Sequence, residues 1–258
     1  MATPLPTGRE RHPGPLARID AGPLREDPAG LRALAAREGC LYLPRLLPVA
    51  SVLALRERVL AAVAGLAWLD PGAPRAAGVV RGDLHEPAHD DAAVAALHCR
   101  VLPLAEFRAL VAEPALLAVL DRLFGAPARG GQGEVLRAVF PADQGRTTPP
   151  HQDQAYTGGA ADLWTAWLPL GDCPLELGPL ALAPGSHRGG LRPHTAGYRV
   201  ADCADLDWVC GDLACGDVLL FHCLTLHRAC PNRSGDRLRL SLDCRYRPVR
   251  FAAPAPSD

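Results

Sequence analysis

The chain has 258 residues with 27 basic and 28 acidic side chains, a formal net charge of -1 and 48% hydrophobic residues. That balance describes a globular chain long enough for one large domain, and it supplies no global field to attract nucleic acid or an anionic membrane, so neither is expected as a partner. Every basic residue is arginine, and the absence of lysine excludes both a phosphate-binding P-loop and Schiff-base catalysis.

Residues 1–28 are rich in Pro, Arg and Gly without periodicity and read as a flexible lead-in. A single domain is expected over 29–250, with a helical part at 29–129, a β core at 130–250 and a frayed tail at 251–258. Helical spacing runs from Leu31 to Arg37 and from Val49 to Leu66, with CLYLPRLLP between them as a short strand halted by proline. A third helix is expected from about Glu106 to Phe124, closed by Gly125.

After Gly130 the texture changes to short strand-like runs: VLRAVF, LWTAWLPL, GPLALAP, VLLF and RLRLSLDCRYR. Such strands at close spacing indicate a sandwich or barrel, mainly β, against which the helices pack. No apolar run reaches the ~18 residues of a membrane span, and the start lacks the apolar core of a signal peptide. A cytoplasmic location is the expectation, and the nine cysteines, odd in number and free of CxxC pairs, are read as thiols.

The informative histidines begin with His151-Gln152-Asp153. In an extended chain His151 and Asp153 point the same way, which makes two-thirds of a facial triad. Two histidines and one carboxylate on one face of an octahedral iron leave three positions for cosubstrate and dioxygen. An isolated H-x-D is common by chance, so the context must supply a third ligand. The run GDVLLFHCLTLHRACPN offers His222 and His227. His222 continues an apolar strand and reads equally well as a hydrogen-bonded core histidine, whereas His227 precedes a polar turn and is preferred.

The segment from Arg237 alternates strictly, with Arg237, Arg239, Ser241, Asp243 and Arg245 on one face and Leu238, Leu240, Leu242 and Cys244 on the other. It reads either as an edge strand with a solvated charged face or as a carboxylate site. In the second reading Arg239 and Ser241, two apart, hold one carboxylate jointly. His85-Glu86-Pro87-Ala88-His89 spells the zinc-protease pattern H-E-x-x-H, but Pro87 breaks the helix that the pattern needs.

Taken together, HQDQAY at 151–156, WLPL at 167–170, LGPLALAPGSHRGG at 177–190, GDVLLFHCLTLHRACPNRS at 216–234 and RLRLSLDCRY at 237–246 resemble the phytanoyl-CoA dioxygenase family of Fe(II)- and 2-oxoglutarate-dependent oxygenases. The resemblance covers roughly residues 30–248. It implies a double-stranded β-helix, a jelly-roll barrel of the cupin type, with iron held by His151, Asp153 and His227. It further implies that Arg239 pairs with the far carboxylate of 2-oxoglutarate beside Ser241, although Arg237 competes for that role. Trp167 matches a tryptophan lining the cosubstrate pocket, and Thr148 lies where a nearby hydroxyl can contribute to cosubstrate binding. The activity implied is hydroxylation of a small molecule, a secondary metabolite, by dioxygen with release of succinate and CO2. The rivals are a non-redox metal-dependent isomerase or lyase on a cupin-like barrel, which would not need Arg239 and Ser241, and a non-catalytic binding barrel, which would tolerate loss of Asp153. Oligomeric state is not legible.

Overall fold

In the computed structural model, which describes residues 13–88, 91–131, 133–142, 147–158, 161–195 and 199–249, helix α1 (Pro28–Glu38) starts where the Asp27 side chain accepts hydrogen bonds from the Ala29 and Gly30 amides. Its start thus meets the need of a helix N-terminus for side-chain acceptors. It ends at Gly39 in the left-handed region (φ 68°), a conformation that costs glycine little. Strand β1 (Cys40–Leu43) and helix α2 (Val49–Ala64) follow, close to the expected positions.

The single third helix expected over 106–124 is two: α4 (Ala105–Val111) and α5 (Pro114–Phe124). Pro114 lacks an amide donor and begins a new helix at its first position instead of continuing the old one. Gly125 closes α5 in the left-handed region, as read from sequence. Helix α3 (Ala92–Val101), capped by the Asp91 side chain, was not predicted. Residues 13–28 also differ from the flexible lead-in expected, because Leu16 and Ile19 are buried and Gly14 pairs with Val209. Residues 1–12 and the tail lie outside the described residues.

The strands are β2 (Ala128–Arg129), β3 (Val135–Val139), β4 (Trp164–Pro169), β5 (Leu180–Leu182), β6 (Val218–His222), β7 (His227–Ala229) and β8 (Arg239–Pro248). The larger sheet runs β1-β6-β4-β8 in antiparallel order, with β2 and β3 both pairing the other side of β8; β5 and β7 form a second antiparallel pair. Period-two alternation gives the larger sheet two different faces. Leu41, Leu43, Ala166, Leu168, Leu220, Leu240, Leu242 and Tyr246 join residues of α1, α2, α3 and α5 in one apolar cluster. On the opposite face Trp167, Leu219 and Phe221 pack with Leu180 and Leu182 of the smaller sheet.

The charged alternation of β8 therefore does not mark an exposed edge. The strand is paired on both sides, and Arg239, Ser241, Asp243 and Arg245 are buried between the sheets. The longer helices pack on the outer face, and between the sheets the polar side chains of β8 stand beside Trp167, Leu219 and Phe221. Among the described residues no helix is long and apolar enough to cross a membrane.

Candidate metal centre

The two histidines of the candidate ligand set are brought together by a two-residue backbone bridge. The His151 amide donates to the His227 carbonyl at 3.0 Å, and the His227 amide returns a bond to His151 at 3.1 Å. Their rings lie 4.1 Å apart between centroids, tilted by 56°. Asp153 enters differently from the extended geometry read from sequence. Its backbone is in the right-handed helical region (φ -58°, ψ -30°) and precedes the short helix α6 (Gln154–Thr157). That turn folds the carboxylate back toward the histidines.

Asp153 Oδ1 then lies 3.9 Å from His151 Nε2 and 3.7 Å from His227 Nε2. One ligand atom from each of the three residues lies within 4.8 Å of the others, and all three residues are buried. Each imidazole uses its Nδ1 on a backbone carbonyl, His151 on Pro149 at 2.8 Å and His227 on Thr225 at 3.0 Å. A carbonyl accepts only, so Nδ1 carries the proton and the Nε2 lone pair faces the centre.

The carboxylate is held in the same directional way. Thr165 Oγ1 donates to Asp153 Oδ2 at 2.6 Å, and Arg245 Nε approaches the same oxygen at 3.5 Å. Oδ2 is thus occupied, and Oδ1 is left for the shared centre. Burial penalises ionisation of Asp153, but the His227 imidazole, the Arg245 guanidinium and the Thr165 hydroxyl outweigh it and hold the carboxyl below its usual range. Burial, followed by proximity to His227, pushes His151 below the usual imidazole range. Both groups are thereby kept in the deprotonated form that metal binding requires.

Beside the two histidines is a small cavity lined among others by Thr148, Trp167, Phe221, Arg137 and Arg239. Arg239 is 3% exposed. Its Nη1 donates to Ser241 Oγ at 2.6 Å, and its guanidinium carbon lies 5.5 Å from the Trp167 ring centroid. Its Nε is buried without a partner among the described residues. Such an orphan donor is costly unless an anion supplies the missing acceptor. Arg237, the competitor, lies outside this cavity and pairs with Glu176. Thr148 lines the wall, and its carbonyl accepts the Ala229 amide at 3.1 Å.

His222 is spent elsewhere, with Nε2 on the Ala161 carbonyl at 3.0 Å and Nδ1 accepting the Leu224 amide at 3.2 Å. Within the protease-like segment Glu86 approaches the Phe140 amide, and His89 lies outside the described residues. Sequence reading assigned no role to Thr165 or Arg137, although each is a lone polar residue in an apolar strand. That pattern was an available signal that the strand face turns inward onto something polar. Gln152, also unassigned, is fully buried and donates to the Gly190 and Leu224 carbonyls while accepting from the Arg192 amide, which ties the loops around the centre together.

The donor set fits a divalent metal of the iron type, with two neutral imidazoles, one carboxylate oxygen and open space on the cavity side. The orphan Arg239 donor fits a carboxylate at the cavity floor. The profile of the phytanoyl-CoA dioxygenase (PhyH) family matches residues 36–240. The chain is 30% identical over 249 residues to 1-deoxypentalenic acid 11-beta-hydroxylase of Streptomyces arenae, covering 89% of this chain and 84% of the relative. Its fold is similar to that of the non-heme alpha ketoglutarate dependent carbocyclase SnoK from nogalamycin biosynthesis, with TM-score 0.60, 24% identity and coverage of 85% of this chain and 83% of that one. It is also similar in fold to the epimerase SnoN in complex with Fe3+, alpha ketoglutarate and nogalamycin RO, with TM-score 0.60, 24% identity and coverage of 90% and 98%.

Proposed function

The chain belongs to the phytanoyl-CoA dioxygenase family, and from that premise we propose that it is an Fe(II)- and 2-oxoglutarate-dependent dioxygenase that hydroxylates a small organic molecule, with release of succinate and CO2. A secondary metabolite is the substrate class in keeping with the 1-deoxypentalenic acid hydroxylase relatives. The two sheets are read as the halves of a jelly-roll double-stranded β-helix. The observation that carries the reading is the pairing of a three-residue metal site with a buried, incompletely bonded guanidinium across one cavity.

His151, Asp153 and His227 are the residues proposed to hold ferrous iron. Iron held there would activate dioxygen, the oxidant, and so couple decarboxylation of the keto acid to hydroxylation of a C–H bond. The chain's own part is binding, orientation and exclusion of water. Arg239 takes the far carboxylate of 2-oxoglutarate, and Ser241 fixes the guanidinium by accepting from Nη1. With one end so anchored, the keto acid is oriented toward the three ligands and does not tumble in the cavity. Trp167 and Phe221 wall the cavity with apolar surface and keep bulk water from the cosubstrate. Thr148 lines the same wall.

Succinate release measured with Fe(II), 2-oxoglutarate and oxygen tests the reaction class. The expected outcome is succinate formation that needs all three. Arg239→Gln should raise the KM for 2-oxoglutarate by roughly 10- to 100-fold, the loss of one charge-assisted contact. A chain that binds iron yet consumes no keto acid would refute the reading in favour of non-redox metal chemistry.

A further inference from the structure

A second guanidinium lines the cavity, and the roles assigned above do not use it. Arg137 is opposite Ser241 in the β3–β8 register, so it emerges on the same inner face as Arg239, Ser241, Asp243 and Arg245. That row has a direction. Arg239 is at the cavity floor, Arg245 touches Asp153 at the other end, and Arg137 lies between them, reaching to Asp243.

The bond to Asp243 leaves one edge of the guanidinium uncommitted. Arg137 Nε donates to Asp243 Oδ2 at 2.9 Å, and among the described residues neither Nη makes a hydrogen bond. Asp243 therefore acts as a brace on Nε, and the Nη edge of a guanidinium that lines the cavity is left for another acceptor. The planar fork of a guanidinium matches a carboxylate. The Arg137 side chain is 26% exposed and that of Asp243 is 11% exposed, whereas Arg239 is sealed. Tyr156, 49% exposed, packs edge-on against His151 at 5.5 Å. Arg137 is thus at the open side of the metal site, where an incoming molecule would meet it.

We propose that Arg137, braced by Asp243, is the anchor for a carboxylate on the primary substrate, so that this enzyme acts on an organic acid. The proposal rests on the oxygenase reading and deepens it. The keto acid does not need this contact, since Arg239 and the metal already match its two ends. A substrate held by its acid group beside the triad presents a distant C–H bond over the metal with fixed orientation.

The test uses the Fe(II)·2-oxoglutarate holoenzyme without oxygen, titrated with a panel of cyclic monocarboxylic acids, each paired with its methyl ester. Binding is followed through the visible charge-transfer band of the iron–keto acid chelate. Acids should bind roughly 10- to 100-fold more tightly than their esters, the worth of one charge-assisted fork. Arg137→Gln combined with Asp243→Asn removes both charges together, leaves no unpaired buried ion, and should abolish the preference for acid. The Kd for 2-oxoglutarate should change less than about threefold, within the tolerance expected for a group that does not touch it. Esters that bind as tightly as acids across the panel, or a double variant that keeps the preference, would overturn the proposal. A large parallel rise in the 2-oxoglutarate Kd would also overturn it by assigning the guanidinium to the keto acid. Failure of the wild type to give the band before any acid is added refutes the oxygenase reading itself, and is distinguishable for that reason.

Discussion

Asp153 shows how much of a candidate metal site lies outside the carboxylate itself. One carboxylate oxygen is committed to Thr165 and Arg245, and only the other faces the histidines. Thr165→Val keeps the shape and removes the hydroxyl, so Oδ2 is freed to rotate toward the metal or toward water. Metal affinity should fall by roughly 10- to 100-fold, the usual cost of losing a partner that orients a ligand. Titration with Co(II) as an iron stand-in reads this directly, and unchanged affinity would mean that the hydroxyl does not orient the ligand. The pair His151 and Asp153 was legible in the sequence, but the extended-chain reason was incomplete. The chain turns helical at Asp153, and only the bond network shows why its oxygen still reaches the site.

At the scale of elements, β8 serves two environments at once. Its Leu face belongs to the helix-covered core, and its charged face lines the cavity. Leu242→Ala should therefore cost about 2–5 kcal/mol of stability, as buried leucine truncations do. Ser241→Ala, one residue away, should instead weaken 2-oxoglutarate binding. Urea denaturation beside a 2-oxoglutarate titration separates the two effects, and equal stability losses would show that the faces are not distinct. Gly39 joins α1 to β1 at φ 68°, and a Cβ there would overlap the His187 ring. Gly39→Ala should destabilise by at least about 1–3 kcal/mol from backbone strain and collision, again read by denaturation. Helix α3 escaped sequence reading although Asp91 caps it. Pro114 is the sequence signal for the break between α4 and α5.

For the whole molecule, metal, pH and stability are linked. A metal that binds only the folded chain should stabilise it by about 2.7 kcal/mol at a free concentration 100 times its Kd, lost on chelation. A thermal melt with and without chelator checks this. Without metal, acid should destabilise the fold for two reasons of the same sign. His151 is held neutral in the folded state, so the unfolded chain takes up a proton that the folded one refuses as pH falls below about 6.5. Asp153 is held ionised, so its stabilisation is present above the unfolded value near 3.8 and lost as pH falls through the depressed folded value. Stability in urea should decline steadily below pH 6.5, and a flat profile to pH 4 would contradict the burial assigned to His151.

The sequence by itself determined the ingredients: the H-x-D pair, a later histidine, the Arg-x-Ser alternation and the strand-rich second half, because residue type and short-range periodicity are properties of neighbours along the chain. It also carried the family resemblance that the profile match and the relatives bear out. Tertiary structure decided which face of β8 turns inward, that Arg239 and not Arg237 enters the cavity, and that His227 and not His222 joins the pair. Those choices depend on pairings such as the bridge between His151 and His227 and the register of β3 against β8. In a strand a shift of one residue moves every side chain to the opposite face, and only contacts between distant segments fix the register.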